Sequence, residues 1–154
     1  MLFSCHSYYS LRYGTMKPET LLQEAIKNHL PVVVMADINN TTGIIDFVKE
    51  AQKQGIKPIA GVDFRNGDRH LYTAIARNNE GFRELNEFLS LHLIKKMPFP
   101  EVPERFNQVY VIYPFGDKGI KDLHDNEFIG VQPQDINRLR FPLKRKGFFR
   151  PYRS

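Results

Sequence analysis

A single cysteine, Cys5, occurs in the 154 residues, which excludes an intrachain disulfide and any multi-cysteine zinc site. The expectation for such a lone thiol is burial without reactivity. Long apolar runs are missing as well. The longest, residues 30–36, is strand-sized and falls far short of the roughly 18 residues a membrane span requires. Residues 1–6 show no basic segment ahead of a longer apolar block, so no secretory leader is read, and a cytoplasmic location without a membrane partner is expected. Also absent are a Gly-rich Walker loop, a nucleophile elbow and an HExxH signature.

What is present suffices for one domain-sized core: 42% of the residues are hydrophobic and 12% aromatic, at a length that argues against two independent domains. The net charge of +5 is unevenly placed. From Arg138 onward there are seven basic residues and no acidic one, and removing those seven from the 22 basic residues leaves 15 against 17 acidic, a net charge of −2 for residues 1–137. Phosphate attraction is therefore confined to the tail. Its candidates for nucleic-acid contact are Arg140, Lys144, Arg145, Lys146 and Arg150, and the competing reading is a solvated, weakly ordered end.

Along the chain, residues 2–6 read as a short strand followed by a polar, tyrosine-rich loop over residues 7–17. Pro18 suits a first helical turn entered at Thr15 or Lys17, and Leu21, Leu22, Ala25, Ile26 and Leu30 recur at helical spacing until Pro31. Residues 32–36 are β-branched and continuous, ending in Asp37, the pattern of a parallel strand covered on both faces. A polar turn over residues 39–43 precedes the stripe Ile44, Ile45, Phe47, Val48 and Ala51, a second helix closed by Gly55. Residues 56–64 predict a third strand, and after the turn Asn66-Gly67, residues 71–76 predict either a hairpin partner or a fourth barrel strand. Residues 79–94 read as a helix. Pro98, Pro100 and Pro103 then preclude regular structure. Strands are expected at 108–113 and 127–131, with a short helix between them and another over 133–139. Alternation of this kind predicts an α/β fold with a parallel sheet or barrel, whose functional groups collect where strands end and loops begin. His6, Asp37 and Asp63 all fall at or near such ends, so one shared rim is expected for them.

Three strings carry a family resemblance. His6-Ser7-Tyr8-Tyr9-Ser10-Leu11-Arg12-Tyr13-Gly14 matches in spacing a motif of His-x-His, Ser-x-Tyr-Ser and an acidic residue before Gly. Met35-Ala36-Asp37-Ile38-Asn39-Asn40-Thr41-Thr42-Gly43 matches an apolar strand ending in Asp-His. Gly55-Ile56-Lys57-Pro58-Ile59-Ala60-Gly61-Val62-Asp63-Phe64 matches Gly-Ile-Lys-Pro-Ile-x-Gly followed by Glu or Asp, the most specific of the three. In this order they resemble the PHP (polymerase and histidinol phosphatase) domain, in particular the amino-terminal module of bacterial DNA polymerase III alpha subunits. The match spans residues 2–89 and more loosely extends to 139; residues 141–154 do not resemble the family.

The resemblance implies an incomplete PHP-type distorted βα barrel of mostly parallel strands with outer helices over residues 1–139; for residues 140–154, basic composition with two prolines and no apolar stripe predicts a weakly ordered tail. It also implies a metal site on the rim, which in the best-equipped members hydrolyses phosphoesters. Here Ser4, Tyr13 and Ile38 stand where the motifs have ligands, leaving His6, Asp37 and Asp63 as a vestigial donor set for zinc, manganese or magnesium. No cofactor is expected unless that set still works. Each survivor has a structural alternative: His6 bonding to a backbone carbonyl, Asp37 and Asn40 organising the turn and capping the helix that begins near Thr42, and Asp63 facing solvent or a basic residue. His29, His70, His92 and His124 have no mutual ligand spacing and read as surface or core residues. Two functions follow from the resemblance: a structural and interaction module of the replicase, or a metal-dependent phosphoesterase. Partners implied by the first are the rest of the alpha subunit, the proofreading exonuclease subunit and, indirectly, DNA. No carboxylate set resembling a polymerase palm is present. About six strands from a family whose barrel uses more would leave an open edge at 127–131.

Overall fold

The computed structural model describes residues 3–104 and 106–139. Within them the order is β1 (Phe3–Cys5), α1 (Pro18–Lys27), β2 (Val32–Ile38), α2 (Ile44–Lys53), β3 (Lys57–Asn66), β4 (Arg69–Ala76), α3 (Asn79–Lys95), β5 (Val109–Pro114), β6 (Glu127–Gly130) and α4 (Ile136–Leu139). Short 3-10 turns at Ile120–Asp122 and Pro133–Asp135 flank β6. The strands form one sheet in sequence order. Pairs β1/β2, β2/β3 and β5/β6 are parallel, whereas β3/β4 and β4/β5 are antiparallel. The α/β expectation holds in this coarse form, but the sheet is mixed and not the parallel one expected, because β4 runs antiparallel to both of its neighbours. Of the two alternatives for residues 71–76, the hairpin is the one formed, because Asn66 and Gly67 close a turn in which Gly67 adopts φ +59°.

That β5 lies antiparallel to β4 despite an intervening helix follows from the loop after α3. The prolines at 98, 100 and 103 keep this segment out of regular structure. It carries the chain back to the end from which β4 left, where Arg77 N donates to Gln108 O at 3.0 Å. The return is tight: a Cβ on Gly81, in the first turn of α3, would lie 1.9 Å from Gln108 O. Asn78 caps that turn by accepting from Gly81 N at 3.0 Å.

Register sorts the side chains onto two faces. Val33, Met35, Asp37, Val62, Phe64, Tyr72, Ala74, Val109 and Val111 share one face, and α1, α2 and α3 cover it. Two apolar clusters result. Leu21, Leu22, Ile44 and Phe47 pack on Val33 and Met35; Leu85, Phe88, Phe99 and Phe106 pack on Phe64, Tyr72 and Val111. Phe64 stands at the centre of the second, with Tyr72, Phe88 and Phe99 ring centroids at 5.2, 5.5 and 5.0 Å. The lone thiol, Cys5, is buried and donates to Val34 O at 3.3 Å, and burial pushes it up to about 12, as an unreactive cysteine requires.

The opposite face carries Val34, Ala36, Ile38, Ile59, Gly61, Asp63, Thr73, Ile75, Tyr110, Ile112 and Phe128. Val34, Ala36 and Ile75 are buried there, but Phe128 is 47% exposed and Tyr110 37%. No helix of the described residues is long and apolar enough to cross a membrane. β1 and β6 lie at the two ends of the sheet, so these strands form an open sheet and not a closed barrel. The basic tail, with Arg140, Lys144, Arg145, Lys146 and Arg150, lies outside the described residues.

Truncating Phe64 to Ala removes the ring on which three aromatics converge; a loss of about 3–5 kcal/mol is expected in urea unfolding. A loss below about 1 kcal/mol, the scale of a surface change, would show that the second cluster is not the sheet's main anchor.

Candidate functional site

Two buried carboxylates do different work: Asp37 lies next to the end of β2, whereas β3 runs on to Asn66 and leaves Asp63 three residues inside it, not at its carboxyl end as expected. Asp37 has no exposed surface and sits on the helix-covered face. Its Oδ1 accepts from Ser7 N and from Ser10 Oγ, and its Oδ2 accepts from Ser7 Oγ, each at 2.6 Å. Ser10 Oγ accepts in turn from Ile38 N at 2.9 Å. The Ser-x-x-Ser spacing is thus read by one carboxylate, which folds residues 7–10 back against the end of β2. A Cβ on Gly14 would fall 1.8 Å from Ser7 O, so the loop closes only around glycine. Asp37 therefore does not join His6 and Asp63: register places it with Val62 and puts Asp63 beside Ile38, on opposite faces of adjoining strands.

Asp37 does not cap α2 either. That helix begins at Ile44 from Gly43 without a side-chain cap. Asn40 does organise the turn, accepting from Thr42 N at 2.9 Å and donating to Tyr9 O at 3.0 Å. Asn39, at φ +50°, extends the β2/β3 ladder with its side chain: Nδ2 donates to Arg65 O at 2.8 Å, and Oδ1 accepts from Arg65 N at 2.9 Å.

Asp63 lies on the other face, 3% exposed. Its Oδ2 meets His6 Nε2 at 2.8 Å and accepts from the Arg65 guanidinium at 2.9 and 3.3 Å. His70 Nε2 stands 2.9 Å from Oδ1 at ion-pair distance. That contact lacks hydrogen-bond alignment, and Oδ1 has no aligned donor. His70 Nε2 also lies 3.2 Å from Thr73 Oγ1. Burial by itself would raise the Asp63 pKa, but His6, His70 and Arg65 outweigh it and hold the carboxyl well below the usual range. Tyr13 packs its ring over the Arg65 guanidinium at 4.6 Å and donates to Asp68 Oδ1 at 3.3 Å. His6 bonds to a carboxylate here and not to a backbone carbonyl, and Asp63 faces basic residues and not solvent.

His70 belongs to this cluster although its spacing gave no sign of it. Strict alternation back from Thr73 would put His70 on the helix-covered face. A β-bulge between Phe64 and Arg65 shifts the register, pairs His70 with Arg65 and re-aims its ring toward Asp63. The other histidines fall as read. His92 is a core residue with Nδ1 2.8 Å from Phe88 O, and His29 sits at the positive-φ end of α1. Among the described residues, no group of three or more His, Cys, Asp or Glu is arranged to hold a metal ion.

Against known families, the model of the PHP domain matches residues 3–118. A DNA polymerase III subunit alpha from Buchnera aphidicola is 36% identical over 86 residues, covering 52% of this chain and 7% of that protein. Its counterpart from Ureaplasma parvum is 31% identical over 107 residues, 70% of this chain and 11% of that protein. An error-prone DNA polymerase from Symbiobacterium thermophilum is 33% identical over 86 residues, 55% of this chain and 8% of that protein. The chain thus spans 7–11% of the length of these relatives. Among solved structures, a proposed metal-dependent phosphoesterase from Bifidobacterium adolescentis superposes with a TM-score of 0.48 at 24% identity, over 60% of this chain and 31% of that one.

Two outcomes are expected from the carboxylates. Asp37→Ala strands three donors and should cost about 3 kcal/mol in urea unfolding, with Asp37→Asn costing clearly less; equal losses would mean that the serines are held by other partners. For Asp63, whose folded pKa is depressed, the contribution to stability is complete above the ordinary carboxyl value of about 3.9 and is lost as the pH falls below it. Thermal scans from pH 7 to 2 should show a shallower acid loss for Asp63→Asn than for the wild type. Parallel curves would rule out a depressed pKa.

Proposed function

Since this chain belongs to the PHP domain family, we propose that it acts as the amino-terminal PHP module of a replicative DNA polymerase III alpha subunit, a structural and interaction module whose metal site has decayed. One observation carries this reading: Asp63, the acidic position of the most specific motif, is neutralised by Arg65 and enclosed by two imidazoles. A divalent metal does not fit these residues, because the guanidinium and both rings already face the carboxylate, and Tyr13 and Ile38 replace donors with an aromatic ring and a hydrocarbon. No step through a metal is therefore derived.

The interaction role is supported by the sheet face on which Tyr110 and Phe128 reach solvent. Ile59, Ile75, Tyr110, Ile112 and Phe128 line a groove of about 1030 Å³ that also touches α2 and the start of α3. Apolar surface of this kind, next to the short end strand β6, suits a continuing barrel and the rest of a larger subunit packed upon it. The incomplete barrel, the remainder of the alpha subunit as partner, and indirect contact with the proofreading subunit and DNA all belong to this proposal. The second reading, a metal-dependent phosphoesterase, has in its favour that His6, Asp63 and His70 still meet at one point.

Metal analysis of the purified chain after exposure to zinc and manganese, with a phosphomonoester assay on the same sample, separates the two. Neither stoichiometric metal nor hydrolysis above background is expected. About one tightly held ion per chain, with hydrolysis abolished by His6→Ala, would establish the phosphoesterase instead.

A further inference from the structure

We propose that Arg65 is a built-in counter-ion that supplies the positive charge a bound metal would supply, so that His6 and His70 can hold their segments to Asp63 without any metal. The inference rests on the reading that the metal site has decayed, and it names what replaced it. Asp63 and Arg65 both stand on β3, and two other segments converge on the carboxylate: the residue after β1, His6, and β4 through His70. A buried carboxylate with only neutral neighbours would be costly, and the permanent charge on a guanidinium removes that cost at every pH at which the protein folds.

Arg65 is fixed on all sides. Its side chain is 15% exposed and its fork spans Asp63 Oδ2 through Nε and NH2. Its backbone N–H and C=O are both taken by the Asn39 side chain, and its guanidinium is covered by the Tyr13 ring. The replaced positions fit the same logic. Tyr13, which stands at an acidic position of the first motif, offers a π face to a cation and no competing carboxylate. Ile38, paired with Asp63 across β2 and β3, walls the site with hydrocarbon. One cation is supplied by the chain, and the groups that would bind a second have gone.

The test is a set of variants followed by thermal unfolding in EDTA and in zinc or manganese. Wild type should unfold at the same temperature in all three conditions. Arg65→Met, which keeps the aliphatic stem but leaves Asp63 uncompensated, should lose about 10 °C in EDTA. Zinc or manganese should restore part of that loss through His6, His70 and Asp63, with about one ion bound per chain. The double variant Asp63→Asn with Arg65→Met should recover most of the loss in EDTA and ignore both ions, since no charge is left to compensate.

An Arg65→Met protein as stable as wild type, or one indifferent to both ions, overturns the proposal and leaves the decayed-site reading intact. A double variant no better than Arg65→Met overturns it too, and this comparison decides the matter if Arg65→Met fails to fold. Wild type stabilised by either ion with one bound per chain would instead defeat the decayed-site reading itself.

Discussion

A carboxylate taken out of water has to be neutralised, and the rim of this sheet is built around the way Asp63 meets that demand. Desolvation alone would favour the protonated acid; the two imidazoles and the guanidinium reverse the balance. Arg65 settles the charge from within β3, while His6 at the end of β1 and His70 on β4 tie their segments to that strand. β1 is only three residues long and pairs with β2 alone. The His6 contact is what couples its end to the middle of the sheet. Asp37 plays the corresponding part on the other face, where serine donors take the place of cations and a loop is fixed instead of strands.

This division of labour makes the two acidic residues unequal as functional candidates. Asp37 is spent on folding the Ser7–Ser10 turn, and none of its oxygens faces the cluster around Asp63. The second face is equally divided. Val34, Ala36 and Ile75 are buried on it, whereas Tyr110 and Phe128 reach solvent beside an open groove. A smaller clamp holds that end: Glu127 accepts from Tyr113 Oη at 2.7 Å, Lys118 Nζ at 2.6 Å and His124 N at 2.8 Å, which fixes the loop between β5 and β6. The exposed apolar strip is the feature that a module packed against further protein would need, and the neutralised carboxylate is the feature that a metal hydrolase would not.

Much of the architecture was legible beforehand because its signals are local. Pro18 and Pro31 bracket α1, the β-branched run marks β2, and Asn66-Gly67 marks a turn; these are steric and hydrogen-bonding preferences of a few adjacent residues. Element limits shifted by one or two residues, as at β5, expected over 108–113 and found at Val109–Pro114. The strand directions were less accessible. Whether β5 runs with or against β4 depends on where the proline-rich loop delivers the chain, which is a long-range matter.

By itself, then, the sequence determined the order and type of the elements, the burial of Cys5 and the three motifs that carry His6, Asp37 and Asp63. It did so because periodicity, breakers and caps act within a turn or a strand. Tertiary structure decided which of these residues meet. Register put Asp37 and Asp63 on opposite faces, a distinction of a single residue in pairing that no local pattern encodes. One bulge brought His70 to Asp63 against the alternation of its strand. Arg65, one residue beyond the strand expected over 56–64, became the counter-charge of the site because β3 extends past it and sets it two residues from the buried Asp63 on the same face.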